Sequence, residues 1–478
     1  MLFNSFAFAV FLPTVFLLYW RLPQRTPRAQ NAFLIAASCL FYGWWDWRFL
    51  SLLFVSSGVD YVAGCLLPGQ TSPGKRRALL AASLATNLGI LGFFKYFGFF
   101  TESFAALLGQ LGLHAEPSTL KIILPVGLSF YTFQSIAYTV DIYRGKLQPE
   151  WNWIDFFAFV SFFPQLVAGP IQRAGDLLPQ FQRARTLSAA EVRRGAEQAL
   201  WGLFKKVVIA DNLAGLVEQI FSQHEQLGAR TLFCGAVLFA VQIYCDFSGY
   251  SDIALGVSRF FGFTLTRNFA YPYFARNLVE FWQCWHISLS TWFRDYLYLP
   301  LGGNRVGALR RSFNLFATFA VSGLWHGANW TFVAWGVFHG ALYVGYLALR
   351  GKRTPPPQSR GLFPPVRDLA AMGLTFATVL VSWVFFRAES LGDALRYLAG
   401  MFTRFSGATA YLDDKLLIGA MLAALGLLLA DWLGRHRSSP LELRAWPRLV
   451  RWPAYYAVMA LIFWKGNFQY VPFIYFDF

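Results

Sequence analysis

Charge is scarce in this chain. Asp, Glu, Lys and Arg supply 14% of its 478 residues while 56% are hydrophobic, against roughly 25% charged residues in an ordinary soluble domain. A water-soluble globule of this size is excluded for want of polar cover. Histidine is rarer still, with six in the whole sequence. Five cysteines (Cys39, Cys65, Cys234, Cys245 and Cys284) fall within or beside apolar segments and show no Cys-x-x-Cys spacing. They read as small buried hydrophobes, so neither a disulfide framework nor a cysteine metal site is expected. Also missing are a Gly-x-Ser-x-Gly elbow, a phosphate loop of the form Gly-x-x-x-x-Gly-Lys-Ser/Thr, and a Gly-Asp-Ser block. The chain therefore has no evident serine nucleophile and no nucleotide cradle.

Long apolar runs are present instead. Met1–Trp20, Ile122–Val140 and Leu369–Phe386 contain little or no charge, and a helix rising 1.5 Å per residue needs about 20 residues to cross ~30 Å of hydrocarbon. The opening run has neither a basic start nor an Ala-x-Ala site and reads as a retained first span. Apolar blocks near 3–20, 31–45, 47–67, 78–100, 121–140, 153–170, 199–221, 231–262, 313–349, 369–387, 415–433 and 452–465 predict about 11–13 membrane helices, 313–349 counting as one or two. The fold class is an all-α polytopic membrane protein forming one domain over 1–478, with membrane lipid as its solvent. Its formal charge is +16, carried by basic clusters in the connections such as Lys75-Arg76-Arg77 and Arg305/Arg310/Arg311. That is a positive-inside pattern, not a nucleic-acid surface. No internal repeat of the kind found in transporters is visible.

Residues 263–312 depart from this pattern. They mix Pro272, Pro300, Gly302-Gly303 and several charges with Trp282, Trp285 and Trp292, which suits an interfacial or re-entrant region. Phe281, Trp285, Leu289 and Trp292 recur at three- and four-residue spacing and predict a helix whose aromatic face meets lipid or the bundle.

The groups able to do chemistry are few. His326 and His339 both lie in Ser312–Leu349, which has no Asp, Glu, Lys or Arg, and an ionisable side chain at that depth is costly and marks a functional position. Gly323 and Gly327 allow close approach of a backbone or a ligand, while Trp325, Asn329 and Trp330 supply an aromatic wall and an amide. Burial favours the neutral imidazole, which can take a proton from a hydroxyl; the competing reading is a structural histidine hydrogen-bonded between helices. His286 is a second candidate, preceded by Trp285 and followed by Arg294 and Asp295. A histidine metal site is not expected, since 40 residues separate His286 from His326 and there is no His-x-x-x-His pair. Asp246 and Asp252, at a span end, read as interhelical hydrogen-bonding groups.

Four blocks occur in order: Asp246-Phe247-Ser248-Gly249-Tyr250-Ser251-Asp252, Trp285-His286-Ile287-Ser288 through Arg294-Asp295-Tyr296, Leu301-Gly302-Gly303-Asn304-Arg305, and Gly323-Leu324-Trp325-His326-Gly327-Ala328-Asn329-Trp330. Together with Pro125–Phe130 and Phe163–Pro170 they resemble the membrane-bound O-acyltransferase (MBOAT) superfamily, in its bacterial polysaccharide O-acetyltransferase branch. The resemblance implies a bundle around a central tunnel in the bacterial inner membrane. It implies acetyl-CoA as donor, no bound cofactor, and a polysaccharide acceptor such as alginate, peptidoglycan or cellulose. His326 matches the family's intramembrane catalytic histidine and His286 its second one, with Trp285, Trp325, Asn329, Asn304, Arg294 and Asp295 as substrate contacts. Where relatives often carry Arg-Arg, this chain has Gln283-Cys284. The aromatic ending Val471–Phe478 resembles a terminal motif whose tyrosine, here Tyr475, relays the acyl group. The missing Gly-Asp-Ser block further implies a periplasmic partner of the SGNH esterase fold. Alternatives are D-alanyl transfer to teichoic acid and proton-coupled transport of a lipid-linked sugar. The hydroxyl served by His326 stays open between Tyr475, a partner's serine and the sugar.

Overall fold

The structure is a computed structural model that describes residues 1–23, 26–113, 122–350, 361–406, 412–469 and 471–474. Tyr475 lies outside the described residues. All regular structure among these is helical. Among the described residues six helical stretches are long and apolar enough to cross a membrane: Phe49–Gly69, Pro73–Gln110, Ala229–Phe260, Trp330–Arg350, Val366–Arg387 and Asp414–Gly434. The other apolar blocks of the sequence fold as shorter or more polar helices. Leu128–Tyr143 has 16 residues, the 153–170 block breaks into Trp153–Ser161 and Phe163–Leu166, and the 199–221 block holds buried Lys205 and Lys206. The 313–349 block forms two helices, Ala308–His326 and Trp330–Arg350.

Contacts gather the chain into two compact units. The first comprises residues 1–193 and 257–266. Its helices start where the sequence supplies the means. Ser5 accepts from the Phe8 amide at 3.2 Å, and Pro27 and Pro73 open their helices, where a missing N–H costs nothing. Gly127 has φ 77°, and a Cβ there would come within 2.7 Å of the Leu166 carbonyl oxygen. The Pro125–Phe130 and Phe163–Pro170 blocks are thus two sides of one close contact. Asp60 is fully buried and accepts from Asn87 at 2.8 Å and Thr139 at 2.7 Å, as a polar group withdrawn from water must.

The second unit comprises residues 194–256 and 267–478. Ala229–Phe260 carries the Asp246–Asp252 block in its interior, not at a span end, because the helix runs 32 residues. Glycines let it approach Ala189–Leu203: a Cβ on Gly202 would sit 2.6 Å from the Gly249 carbonyl oxygen, and one on Gly256 2.4 Å from that of Gly195. Ala308–His326 and Trp330–Arg350 pack by the same device, with a Gly323 Cβ falling 2.2 Å from the Phe332 carbonyl oxygen and a Gly336 Cβ 2.3 Å from that of Phe319. The small residues beside His326 therefore serve backbone approach between helices.

Candidate functional site

Residues 281–292 do not form the one continuous helix their spacing predicts. Asn277 caps Leu278–Cys284 by accepting from the Glu280 amide at 3.0 Å. The chain then turns at His286, which has φ 43° and ψ 55° and opens Ile287–Phe293. A non-glycine residue in this left-handed region costs about 1–3 kcal/mol, and such strain concentrates at functional sites. A π-helical turn, Arg294–Tyr298, follows. The aromatic row faces the bundle: Phe281, Trp285, Leu289 and Trp292 are all buried.

This break delivers His286 into the protein interior. Its Nδ1 lies 3.1 Å from Asn268 Oδ1, which also accepts from the Ser288 hydroxyl at 3.0 Å. An amide oxygen accepts only, so the proton sits on Nδ1 and Nε2 is the basic nitrogen. His286 lies outside the six spanning helices, and burial pushes its pKa down to about 3, so the ring is neutral at physiological pH.

His326 ends the Ala308–His326 helix. Its ring centroid is 6.5 Å from that of His286, although 40 residues separate the two in sequence. Trp325 stands beside both, at 6.1 Å from His286 and 5.0 Å from His326, and Trp335 and Phe386 wall His326 at 5.0 and 5.3 Å. Phe247, from the Asp246–Asp252 block, meets His286 at 4.5 Å. The first, second and fourth sequence blocks therefore converge on one pair of imidazoles. His339 sits a layer away, 4.9 Å from the Trp335 ring.

A cavity of about 740 Å³ is lined by residues close in sequence to this pair, though by neither histidine itself. Its wall includes Gln283, Ile287, Arg294, Asn304, Arg311 and Ser322. Ile287 adjoins His286 in sequence, and Ser322 lies one turn before His326. The expected substrate contacts divide accordingly. Arg294 and Asn304 line the cavity, Asn304 accepting from the Tyr298 hydroxyl at 2.6 Å and Asp295 holding Arg294 at 2.8 Å. Trp325 contacts both histidines. Trp285 packs in the aromatic core, 4.9 Å from Trp383 and 5.1 Å from Phe269. Asn329 caps Trp330–Arg350, accepting from the Thr331 amide at 3.0 Å and donating to the Glu389 carbonyl at 3.0 Å. Gln283 lines the cavity without a charge, while Arg311, which sequence spacing did not single out as a site residue, supplies a cation to the same wall. Asn268 was likewise missed, because nothing in its local sequence distinguishes it from other asparagines. Among the described residues no three His, Cys, Asp or Glu side chains gather as a metal site would require.

Two buried imidazoles, one of them on strained backbone, therefore meet in the interior of a helical membrane protein. The profile of the MBOAT, membrane-bound O-acyltransferase family matches residues 147–356, and the chain belongs to that family of membrane O-acyltransferases. It is 41% identical to the probable alginate O-acetylase AlgI of Pseudomonas putida, over 88% of this chain and 84% of that protein. It is 38% identical to the peptidoglycan O-acetyltransferase of Helicobacter pylori, over 84% and 80% respectively. The teichoic acid D-alanyltransferase of Streptococcus thermophilus is 30% identical over 60% of this chain and 75% of its own length.

Proposed function

We propose that this protein moves an acetyl group from acetyl-CoA, taken up at the cytoplasmic face of a bacterial inner membrane, toward O-acetylation of an exported or cell-surface polysaccharide. The observation that carries the reading is the meeting of His286 and His326 at 6.5 Å, with a cavity whose wall holds two arginines and the neighbouring Ile287 and Ser322. The names of the relatives at 38–41% identity support acetyl as the acyl group.

In the proposed step His326 takes the proton of an acceptor hydroxyl as its oxygen attacks the thioester carbonyl. The new C–O bond forms, the C–S bond breaks, and the imidazolium returns the proton to the leaving thiolate. A positioned base contributes about 10²–10⁴-fold to such a transfer. His286, its tautomer fixed by Asn268, orients the hydroxyl through Nε2. The apolar walls favour transfer over hydrolysis by keeping water out. Arg294 and Arg311 suit the phosphates of the donor. An SGNH-fold partner outside the membrane would complete delivery to the glycan.

His326→Gln in native membranes should retain acetyl-CoA binding and lose thiol release by at least about 10²-fold. Wild-type turnover in that variant would overturn the assignment. Thiol release absent from the wild type, with release from a D-alanyl carrier instead, would replace the donor.

A further inference from the structure

The Asp246–Asp252 block gives the site Phe247, yet its buried charges take no part in the step above. Lys206 lies between two carboxylates, 2.6 Å from Asp246 Oδ1 and 2.8 Å from Asp211 Oδ1, and all three side chains are buried. One ammonium shared by two carboxylates leaves surplus negative charge, which the second oxygen of Asp246 can offer to another donor. That donor is the main chain of the C-terminal segment: the Ile474 amide donates to Asp246 Oδ2 at 2.7 Å.

Lys465 and Asn467 meet the 204–212 stretch that carries Lys206 and Asp211. Phe204–Ala210 is a π-helical turn, a geometry that disturbs the regular carbonyl ladder and recurs at functional sites. The Asn467 amide donates to the Val207 carbonyl at 2.8 Å, the Asn467 side chain donates to the Asp211 carbonyl at 3.2 Å, and Asn212 donates to the Lys465 carbonyl at 2.8 Å. Near the other end Phe473, 1% exposed, packs on Phe247 at 5.7 Å and Tyr250 at 5.2 Å. Phe247 is the ring that meets His286 at 4.5 Å.

We infer that Asp246, with Lys206 behind it, is an anchor that holds the C-terminal segment one aromatic ring away from the histidine pair. Asp246 and Lys206 are thus positioning residues for acetyl transfer out of the site. The residue whose amide Asp246 holds immediately precedes Tyr475 in sequence. The consequence for transfer rests on the acetyl-transfer reading, whereas the anchor itself does not.

The test joins a reporter to the anchor. Ile474→Cys retains the main-chain donor, and maleimide labelling of that cysteine in membranes, read by mass spectrometry of the C-terminal peptide, reports release of the segment. Adding Asp246→Asn should raise the labelling rate about 10–100-fold, the factor expected for loss of a charge-assisted hydrogen bond. Phe473→Ala, which leaves the buried ion trio intact, should raise it in the same direction should Asp246→Asn not accumulate. An unchanged rate in the variants that accumulate would overturn the anchor whether or not acetyl-CoA is the donor. In the second arm, Asp246→Asn without the reporter cysteine should retain acetyl-CoA binding and lose acetyl transfer to the glycan, with thiol release falling in step. Loss of binding and transfer together, or of neither, would overturn the positioning role.

Discussion

Asn268→Leu is the sharpest probe of the histidine pair because it changes no group that touches substrate. The leucine keeps the approximate volume and the Asn268 carbonyl, which accepts from the Ile287 amide at 2.9 Å, but removes the oxygen that accepts from His286 Nδ1 and the Ser288 hydroxyl. Asn268 Oδ1 also accepts from the Ser288 amide at 3.3 Å, and Asn268 Nδ2 donates to Ser251 Oγ at 3.4 Å. Four hydrogen bonds at a net ~1 kcal/mol each put the stability loss at ~4 kcal/mol, with a further contribution if the Nδ1–H finds no new acceptor. The catalytic share is the bond to His286 alone. Without it the ring samples both tautomers and loses its orientation, and ~1.4 kcal/mol corresponds to a tenfold fall in kcat. The assay is thiol release from acetyl-CoA in membranes, normalised to the amount of folded protein, with Asn268→Gln as a displaced amide and Asn268→Asp as a restored acceptor. We expect roughly a tenfold loss of kcat with little change in KM for Asn268→Leu. For Asn268→Asp we expect a raised His286 pKa and an acid limb at higher pH. Wild-type kcat and pH profile in both variants would refute the role given to Asn268.

Further expectations follow from the same geometry. Gly323→Ala and Gly336→Ala each place a methyl group within 2.2–2.3 Å of a carbonyl oxygen, so both should sharply reduce recovery of folded protein; normal yield with normal melting behaviour would contradict the close helix contact. Lys206→Met leaves Asp211 and Asp246 facing each other without their cation and should destabilise the protein by about 3–5 kcal/mol, which partial relief by Asp211→Asn in the double variant would verify. Asn329→Ala removes a helix cap and should cost about 1 kcal/mol, measured as a lowered melting temperature in detergent. His286 refuses a proton in the folded protein down to about pH 3, whereas an unfolded histidine binds one below ~6.5. Its contribution to stability is therefore present above that value and lost as pH falls toward 3. The pH slope of the melting temperature between 7 and 4.5 should shrink in His286→Asn.

Several features were legible in the residues alone. Scarcity of charge fixed the solvent, since a chain that cannot cover itself with polar groups must lie in lipid. The uncharged stretch Ser312–Leu349 singled out His326 because an ionisable group there has no cheap reason to exist. The long apolar runs located helices, the clearest being the spanning helix over Val366–Arg387. The order of the four blocks carried the family resemblance to which the 38–41% identities answer.

Other features depended on distances that no local spacing encodes. The pattern of Phe281, Trp285, Leu289 and Trp292 is helical throughout, yet the chain turns left-handed at His286, because the burial of that ring and its bond to Asn268 outweigh local helical preference. Gly323 looks the same in sequence whether it admits a ligand or a neighbouring backbone; the position of the Phe332 carbonyl settled the choice. Lys206 and Asp246 are 40 residues apart and Ile474 another 228 beyond, so their meeting is a product of packing. Sequence determined which groups the protein possesses and the medium that makes them costly. Tertiary structure decided which of them touch, because contact depends on where helices end, break and approach.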